Sequence, residues 1–368
     1  MHRSTIADVA RLAGVSQATV SRALRGMGNV TQATREKVQA AADALNFTLS
    51  KSASSLASGK TMQVILLSSG RLNEWFNANV LEGVCEVLIS EGYDVLPASI
   101  VGKDEADAYF ENLPKNRNVD AIIISSFQLD ETDRQRLDAL DMPVIGVNIP
   151  AAATFCDAAV GVDNYVGMEQ AVRLARSLGH ASIAFAADCI PSNIVYNTTQ
   201  RVEAFLEAAE QNGYGEDCVD VISVDPHDLP LAQEELASRL VAKLLASSRR
   251  PTAVCAETDR VAILLVKELR RQHLRVPEDI SVIGFDDADV AEAADLTTVR
   301  QDPIELGRVA ARKTLQLLEL RQRLAPGLVD GSAWHGQRPA QRPTVDSAYE
   351  TQQPSIVLRG TTGKVNVE

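Results

Sequence analysis

An all-α N-terminal unit followed by an α/β body of two parallel-sheet subdomains is the architecture this sequence predicts. Three observations point to it. Helical periodicities crowd the first 45 residues. From Gln63 onward, apolar runs of strand length alternate with helical stretches of roughly 10–20 residues. Those alternations are too many for one sheet. The length of 368 residues fits two or three compact units. With 45% hydrophobic and 23% charged residues, the chain can build a sizeable core.

The first helix opens at Thr5-Ile6-Ala7-Asp8, which reads as a capping box: the threonine hydroxyl meets an orphan N–H and the acid reaches back. Ile6, Val9, Ala10 and Ala13 form one apolar face, and Gly14 follows as the residue best able to end a helix in the left-handed conformation. Val15 plugs the corner. Ser16 caps a second helix, Gln17 to Leu24, anchored inward by Val20 and Leu24. Thr31 caps a third helix through Leu45, with Val38, Ala41, Ala42 and Leu45 inward. Two short helices joined by a tight turn containing Gly are the helix-turn-helix plan.

The second helix turns Gln17, Ala18, Ser21 and Arg22 outward. Glutamine can pair bidentately with adenine and arginine with guanine, and a small alanine can touch a thymine methyl. Ser16, Thr19 and Ser21, with Thr5, are short hydroxyl groups suited to phosphate oxygens, which fix register without reading sequence. Charge agrees. Residues 1–60 hold eight Lys/Arg and three Asp/Glu, a net +5, so the −13 of the whole chain leaves −18 for the remainder. A basic arm on an acidic body draws phosphate to the arm alone.

The stretch T-I-A-D-V-A-R-L-A-G-V-S-Q-A-T-V-S-R-A-L resembles the headpiece of the lactose/galactose repressor (LacI/GalR) family, and the likeness continues through V-T-Q-A-T-R-E-K-V-Q-A-A-A-D-A-L-N-F. The resemblance implies that Gln17 and Ala18 choose the operator and that Arg22 contacts a base. Residues 50–60 compose a serine-rich linker too short to hold a helix alone in water. The resemblance implies that this segment becomes a hinge helix on DNA, with Ala53 on its apolar face and Leu56 wedged into the minor groove, where apolar side chains unstack a base step. One departure stands upstream: the family's aromatic-x-Pro-Asn is here Phe47-Thr48-Leu49-Ser50.

In the body, strands are expected at Val64–Leu67, Asp94–Leu96, Ala121–Ile124, Pro143–Val147, Ser182–Phe185, Val219–Val224, Ala253–Cys255 and Ser281–Phe285, and a helix from Asn79 to Glu91. Continuous apolar strands between helices indicate parallel sheets covered on both faces. Ligands of such sheets bind outside the carboxyl ends of the strands, and a cleft between two subdomains is the natural pocket. Arg201, preceding a helix, could fork onto hydroxyls or a carboxylate, and Asp286, ending a strand, could accept from hydroxyls.

Family order is kept at Val162-Asp163-Asn164 with Gly167, Leu178-Gly179-His180, Arg201, I-S-V-I-G-F-D-D over 280–287, Leu296 to Gln301, and Leu358-Arg359. The resemblance implies the fold of periplasmic sugar-binding proteins, with three crossings between subdomains. It also implies effector-binding roles for Arg201 and Asp286, and lesser ones for Ser69, Gln301 and the aromatic pair Trp75 and Phe76. Asn148 stands where the family often has Asp, Thr258 where an Asn often donates, and Pro303 at another ligand position, so no particular effector carries over. His180 reads as structural.

The boundaries expected are 1–48 for the headpiece, 49–61 for the hinge, and 62–368 for the body. Within the body, an N-subdomain covers about 62–161 and 291–322 and a C-subdomain about 162–290 and 323–368. The segment 323–354, with Pro326, Pro339, Pro343 and Pro354, reads as a surface-loop insertion. Five scattered cysteines with no C-x-x-C read as buried free thiols, and the dispersed histidines offer no metal site. No cofactor is expected. Met-His-Arg-Ser-Thr leads into no apolar export signal, and no run suits a membrane span, so a cytoplasmic, nucleoid-associated location is expected.

These observations favour a homodimeric repressor that binds a pseudo-palindromic double-stranded operator and responds to a small sugar or sugar derivative. The alternative is a sugar- or nucleoside-processing enzyme with an appended DNA-binding domain. Against it, the sequence lacks a Walker A loop, a G-x-S-x-G elbow, H-E-x-x-H and the dinucleotide glycine triplet. A sugar-binding module without regulation does not account for the headpiece.

Overall fold

The computed structural model describes residues 4–24, 30–47, 60–113, 119–127, 129, 131–138, 142–149, 156–189, 197–225, 231–324 and 349–365. Ala53 and Leu56, and most of the segment 323–354, lie outside the described residues. The first 62 residues and the chain from Gln63 form separate units.

In the first unit, α1 (Ile6–Ala13), α2 (Gln17–Leu24) and α3 (Gln32–Ala44) pack around Val9, Ala10, Ala13, Val20, Ala23, Val38, Ala41 and Ala42. The capping box forms as the spacing predicts: Asp8 N donates to Thr5 Oγ1 and Thr5 N to Asp8 Oδ2. Gly14 ends α1 at φ 67°, with its N–H on Ala10 O. Ser16 Oγ accepts from Thr19 N at 3.2 Å and starts α2 at once. Thr31 caps α3, and Asn46, at φ 49°, turns the chain so that Phe47 N reaches Ala42 O at 2.8 Å.

Among the described residues, the body holds two six-stranded sheets. The first is built from β1 (Gln63–Ser69), β2 (Asp94–Ile100), β3 (Ala121–Ser125), β4 (Val144–Val147), β5 (Ala158–Val162) and β11 (Tyr349–Gln352), in the order β11-β5-β4-β3-β1-β2. All its pairings are parallel. Flanking it are α4 (Trp75–Ser90), α5 (Lys103–Asn112), α6 (Glu131–Asp138) and α12 (Pro303–Leu324).

The second sheet contains β6 (Ile183–Cys189), β7 (Val219–Val224), β8 (Ala253–Ala256), β9 (Ser281–Asp286), β10 (Thr297–Arg300) and β12 (Ser355–Val357), in the order β12-β10-β9-β8-β6-β7. Only the β10–β12 pair is antiparallel. Its helices are α7 (Asn164–Ser177), α8 (Thr199–Gln211), α9 (Gln233–Leu245), α10 (Asp259–Arg271) and α11 (Asp289–Ala293). Central strands such as β3, β8 and β9 are buried along their whole length, as apolar runs without alternation require.

The chain passes between the sheets three times, but two of the crossings differ from the expected boundaries. The first follows Val162. The second follows Arg300, because Thr297–Arg300 pairs with β9, so residues 291–300 belong to the second subdomain. The third falls between Gln352 and Ser355, because Tyr349–Gln352 pairs with β5, which removes the end of the supposed insertion from the loop. Two further expectations are corrected. Helix α4 starts at Trp75 rather than Asn79. Of the four cysteines with described side chains, only Cys255 is fully buried, while Cys85, Cys156 and Cys218 are half-buried.

Helices α4 and α12 meet backbone to backbone. A Cβ on Gly83 would lie 2.0 Å from Ile304 O, and one on Gly307 2.4 Å from Val80 O. Glycine is the residue that permits so close an approach.

Candidate functional site

On α2, Val20 and Ala23 face the core, whereas Ser16, Gln17, Ala18 and Arg22 are exposed and Thr19 and Ser21 half-buried. Gln17 carries no side-chain bond among those the structure gives, and Arg22 is held by Nε to Ala18 O at 3.3 Å. Ser16 and Thr19 share a hydroxyl contact of 2.9 Å. The Thr5 hydroxyl proton goes to Asp8 Oδ2 at 2.7 Å, so this side chain serves the helix cap first.

In the body, the eight residues expected to bind a ligand stand at carboxyl ends of strands or at the helix turns that follow. Ser69 closes β1, and its carbonyl accepts from the buried Asn77 Nδ2 at 2.7 Å. Trp75 and Phe76, half-buried, begin α4. Asn148 follows β4 at φ 52°, buried, with Oδ1 accepting from Val162 N at 3.4 Å. Thr258 caps α10 through Val261 N. Arg201 lies in the first turn of α8, Asp286 ends β9, and Gln301 follows β10.

Arg201, Asp286 and Gln301 form one hydrogen-bonded group. Among the described residues, Arg201 is the largest fully buried side chain, with its guanidinium 3.6 Å over the Phe285 ring. Its Nε donates to Asn164 Oδ1 at 3.2 Å, and its Nη1 donates to Glu257 O at 2.5 Å and stands 3.6 Å from Asp286 Oδ1. Gln301 Nε2 donates to Asp286 Oδ1 at 2.6 Å. Asp286 and Asp287 have φ of 133° and 58°, strain of the kind that collects at binding sites. Burial pushes the Asp286 carboxyl up to about 7, against the pull of Arg201. The Glu257 and Asp259 carboxyls are raised for the same reason.

The sequence reading missed several members of this group. Asn164 donates to Asn197 Oδ1 at 3.1 Å and Gln200 Oε1 at 3.3 Å, so three amides buttress the arginine. Glu257 brings a carboxylate whose Oε2 accepts from Asp188 N at 3.1 Å. Only the V-D-N run gave any signal for them. Asp259 is a fold residue: it accepts from Thr298 Oγ1 and Ala288 N, and Gly284 leaves room for it. His180 is structural too. Both ring nitrogens are bonded, to Thr252 Oγ1 and Gly363 O, and burial pushes its pKa down.

The two sheets meet at these carboxyl ends. Asn197 N donates to Ser126 O, just past β3, at 3.3 Å. Arg260 on α10 pairs with Asp188 and is drawn by Glu74, which precedes α4.

Residues 5–50 match the model of bacterial regulatory proteins, lacI family, and residues 172–331 that of a periplasmic binding protein-like domain. The chain thus joins a lacI-family helix-turn-helix domain to a periplasmic binding protein-like domain. It is 29% identical to the transcriptional repressor PurR of Vibrio campbellii over 369 residues, covering 99% of this chain and 100% of that one. It is 28% identical to the ribose operon repressor of Haemophilus influenzae over 326 residues, covering 86% and 92%. The lac repressor dimer bound to operator and the anti-inducer ONPF superposes with TM-score 0.77 at 22% identity, over 98% of this chain and 100% of that one. The CelR–cellobiose complex superposes with TM-score 0.63 at 25% identity over 98% and 100%. These four proteins are named as repressors or regulators. Among the described residues, no group of side chains could hold a metal ion, and no helix is long and apolar enough to cross a membrane.

Proposed function

We propose that this protein is a sequence-specific transcriptional repressor, without catalytic activity, whose operator affinity is set by a small sugar or sugar derivative bound between the two α/β subdomains. The observation that carries the reading is the exposed row Gln17, Ala18 and Arg22 on the second helix of a helix-turn-helix, within the stretch that matches the lacI-family model. In this reading those three side chains meet base edges in the major groove, while Ser16, Thr19, Ser21 and Thr5 hold phosphates. Ala53 and Leu56 address the minor groove.

A homodimer places two such helices on half-sites about one helical turn apart, and the protein works in the cytoplasm on the nucleoid. Ser69, Trp75, Phe76, Asn148, Arg201, Thr258, Asp286 and Gln301 contribute to the effector site, with Arg201 and Asp286 as its anchors.

Selection of binding sites from random double-stranded DNA with the full chain, followed by anisotropy titration, tests the reading. A pseudo-palindrome is the expected result. Arg22→Ala should weaken binding by about 1–3 kcal/mol and relax one symmetric position of the site. Unchanged affinity and preference in that variant would sink the assignment.

A further inference from the structure

The anchor of the cleft has the wrong charge to hold an anion. A single guanidinium, Arg201, is set among three carboxylates, Asp286, Glu257 and Asp259. That guanidinium is already engaged by Asn164 and by the Glu257 carbonyl, with the Phe285 ring across one face. Little of it is left to neutralise a phosphate or a carboxylate, which would also enter a field already negative.

Two buried side chains beside the arginine carry polar atoms without a partner. Asn197 is 3% exposed and leaves Nδ2 unbonded, and Gln301 is 7% exposed and leaves Oε1 unbonded. The orientation of Gln301 is fixed because its Nε2 faces the Asp286 carboxylate. Buried polar groups are ordinarily satisfied, so an unmet donor and an unmet acceptor mark the edge of a ligand. A hydroxyl or a neutral amide edge supplies both functions. An ionised phosphate or carboxylate oxygen only accepts.

We propose, resting on the reading of this cleft as the effector site, that it selects uncharged ligands presenting both donors and acceptors and excludes phosphorylated and carboxylated ones, with Glu257 setting the exclusion. Asp259 is committed to Thr298 and Ala288, and Asp286 to Gln301. Glu257 meets Arg201 through its backbone carbonyl, while its side chain, among the described residues, holds the Asp188 N–H and Thr198. It is therefore the carboxylate whose removal changes the charge of the anchor at least cost to the fold.

The test uses the full chain and two sets of probes, read by calorimetric titration. Sulfate keeps its charge across the working range and needs no knowledge of the effector. Wild-type protein should show no saturable sulfate binding near pH 8. The isosteric Glu257→Gln variant should gain at least about tenfold in sulfate affinity, and wild-type protein should gain similarly near pH 5.5, where carboxyls raised by burial take up protons. Saturable sulfate binding by wild-type protein near pH 8, or no gain in either arm, overturns the proposal.

Matched pairs form the second set: ribose with ribose 5-phosphate, glucose with glucuronate, adenosine with adenosine monophosphate. Any uncharged compound that binds should exceed its anionic partner by about tenfold or more, a difference of about 1.4 kcal/mol. An anion that wins, with binding lost in Arg201→Ala, defeats this inference and spares the effector site. Binding indifferent to Arg201→Ala defeats the effector site itself.

Discussion

Asp286 binds its proton more tightly in the folded chain than an unfolded aspartate does, because burial outweighs the attraction of Arg201 and brings it to about 7. The sign follows from linkage. Between about pH 4 and pH 7 the native state keeps a proton that the unfolded state has released, so this residue's contribution to stability falls as pH rises. Asp286→Asn should flatten that fall in urea unfolding followed from pH 4 to 8; an unchanged profile would show that the carboxylate is solvated. Arg201 has the opposite character. Its removal strands buried carboxylates, and Arg201→Ala should cost about 3–5 kcal/mol in the same assay, where an exposed arginine would cost less than about 1 kcal/mol. Both residues were legible in the sequence, Asp286 from its place after an apolar run and Arg201 from the resemblance. Glu257 and Asn197 were not, and Asn164 only through the V-D-N run. An acid or an amide at a strand end has no periodicity, and only the fold shows which of them surround the arginine.

Secondary-structure elements were legible wherever burial imposed a pattern. The capping box at Thr5, the Gly14 stop and the unbroken apolar runs of β1, β3, β8 and β9 all left local signals. Elements held by neighbours left none. Helix α4 begins at Trp75 without a side-chain cap on Glu74, and β11 and β12 are short strands at the sheet edges with no fully buried residue. The α4–α12 contact is of this second kind, since Gly83 and Gly307 look unremarkable in sequence yet let two backbones touch. Gly83→Ala should therefore destabilise the body by about 1–3 kcal/mol, even though alanine is the better helix former by about 1 kcal/mol. Denaturant midpoints decide the matter: a gain in stability would mean that the helices part without cost.

At the scale of the whole molecule, the three crossings leave the subdomains joined by narrow strands of chain, so what the mouth of the cleft touches governs how easily it opens. Two links cross it. Asn197 N reaches Ser126 O at 3.3 Å, and Glu74 of the first subdomain attracts Arg260, itself paired with Asp188. Asp188 N in turn binds Glu257 Oε2, so the lip is bonded to the ligand anchor through one residue. The Arg260 and Asp188 side chains are 51% and 27% exposed, which limits what the charge link contributes to about 0–1 kcal/mol, up to roughly fivefold in affinity. Effector coupling in regulators of this size is typically about 1–3 kcal/mol, so the link can tune closure without carrying it. Glu74→Gln should weaken binding of whichever uncharged probe binds by about two- to fivefold in calorimetric titration at low salt. The difference from wild type should shrink near 0.5 M salt, where the Debye length falls to about 4 Å. Operator affinity without ligand should stay within about twofold, because the substitution touches neither α2 nor the hinge. A loss far above tenfold, or one that salt leaves untouched, would place Glu74 on the ligand itself rather than on the lip.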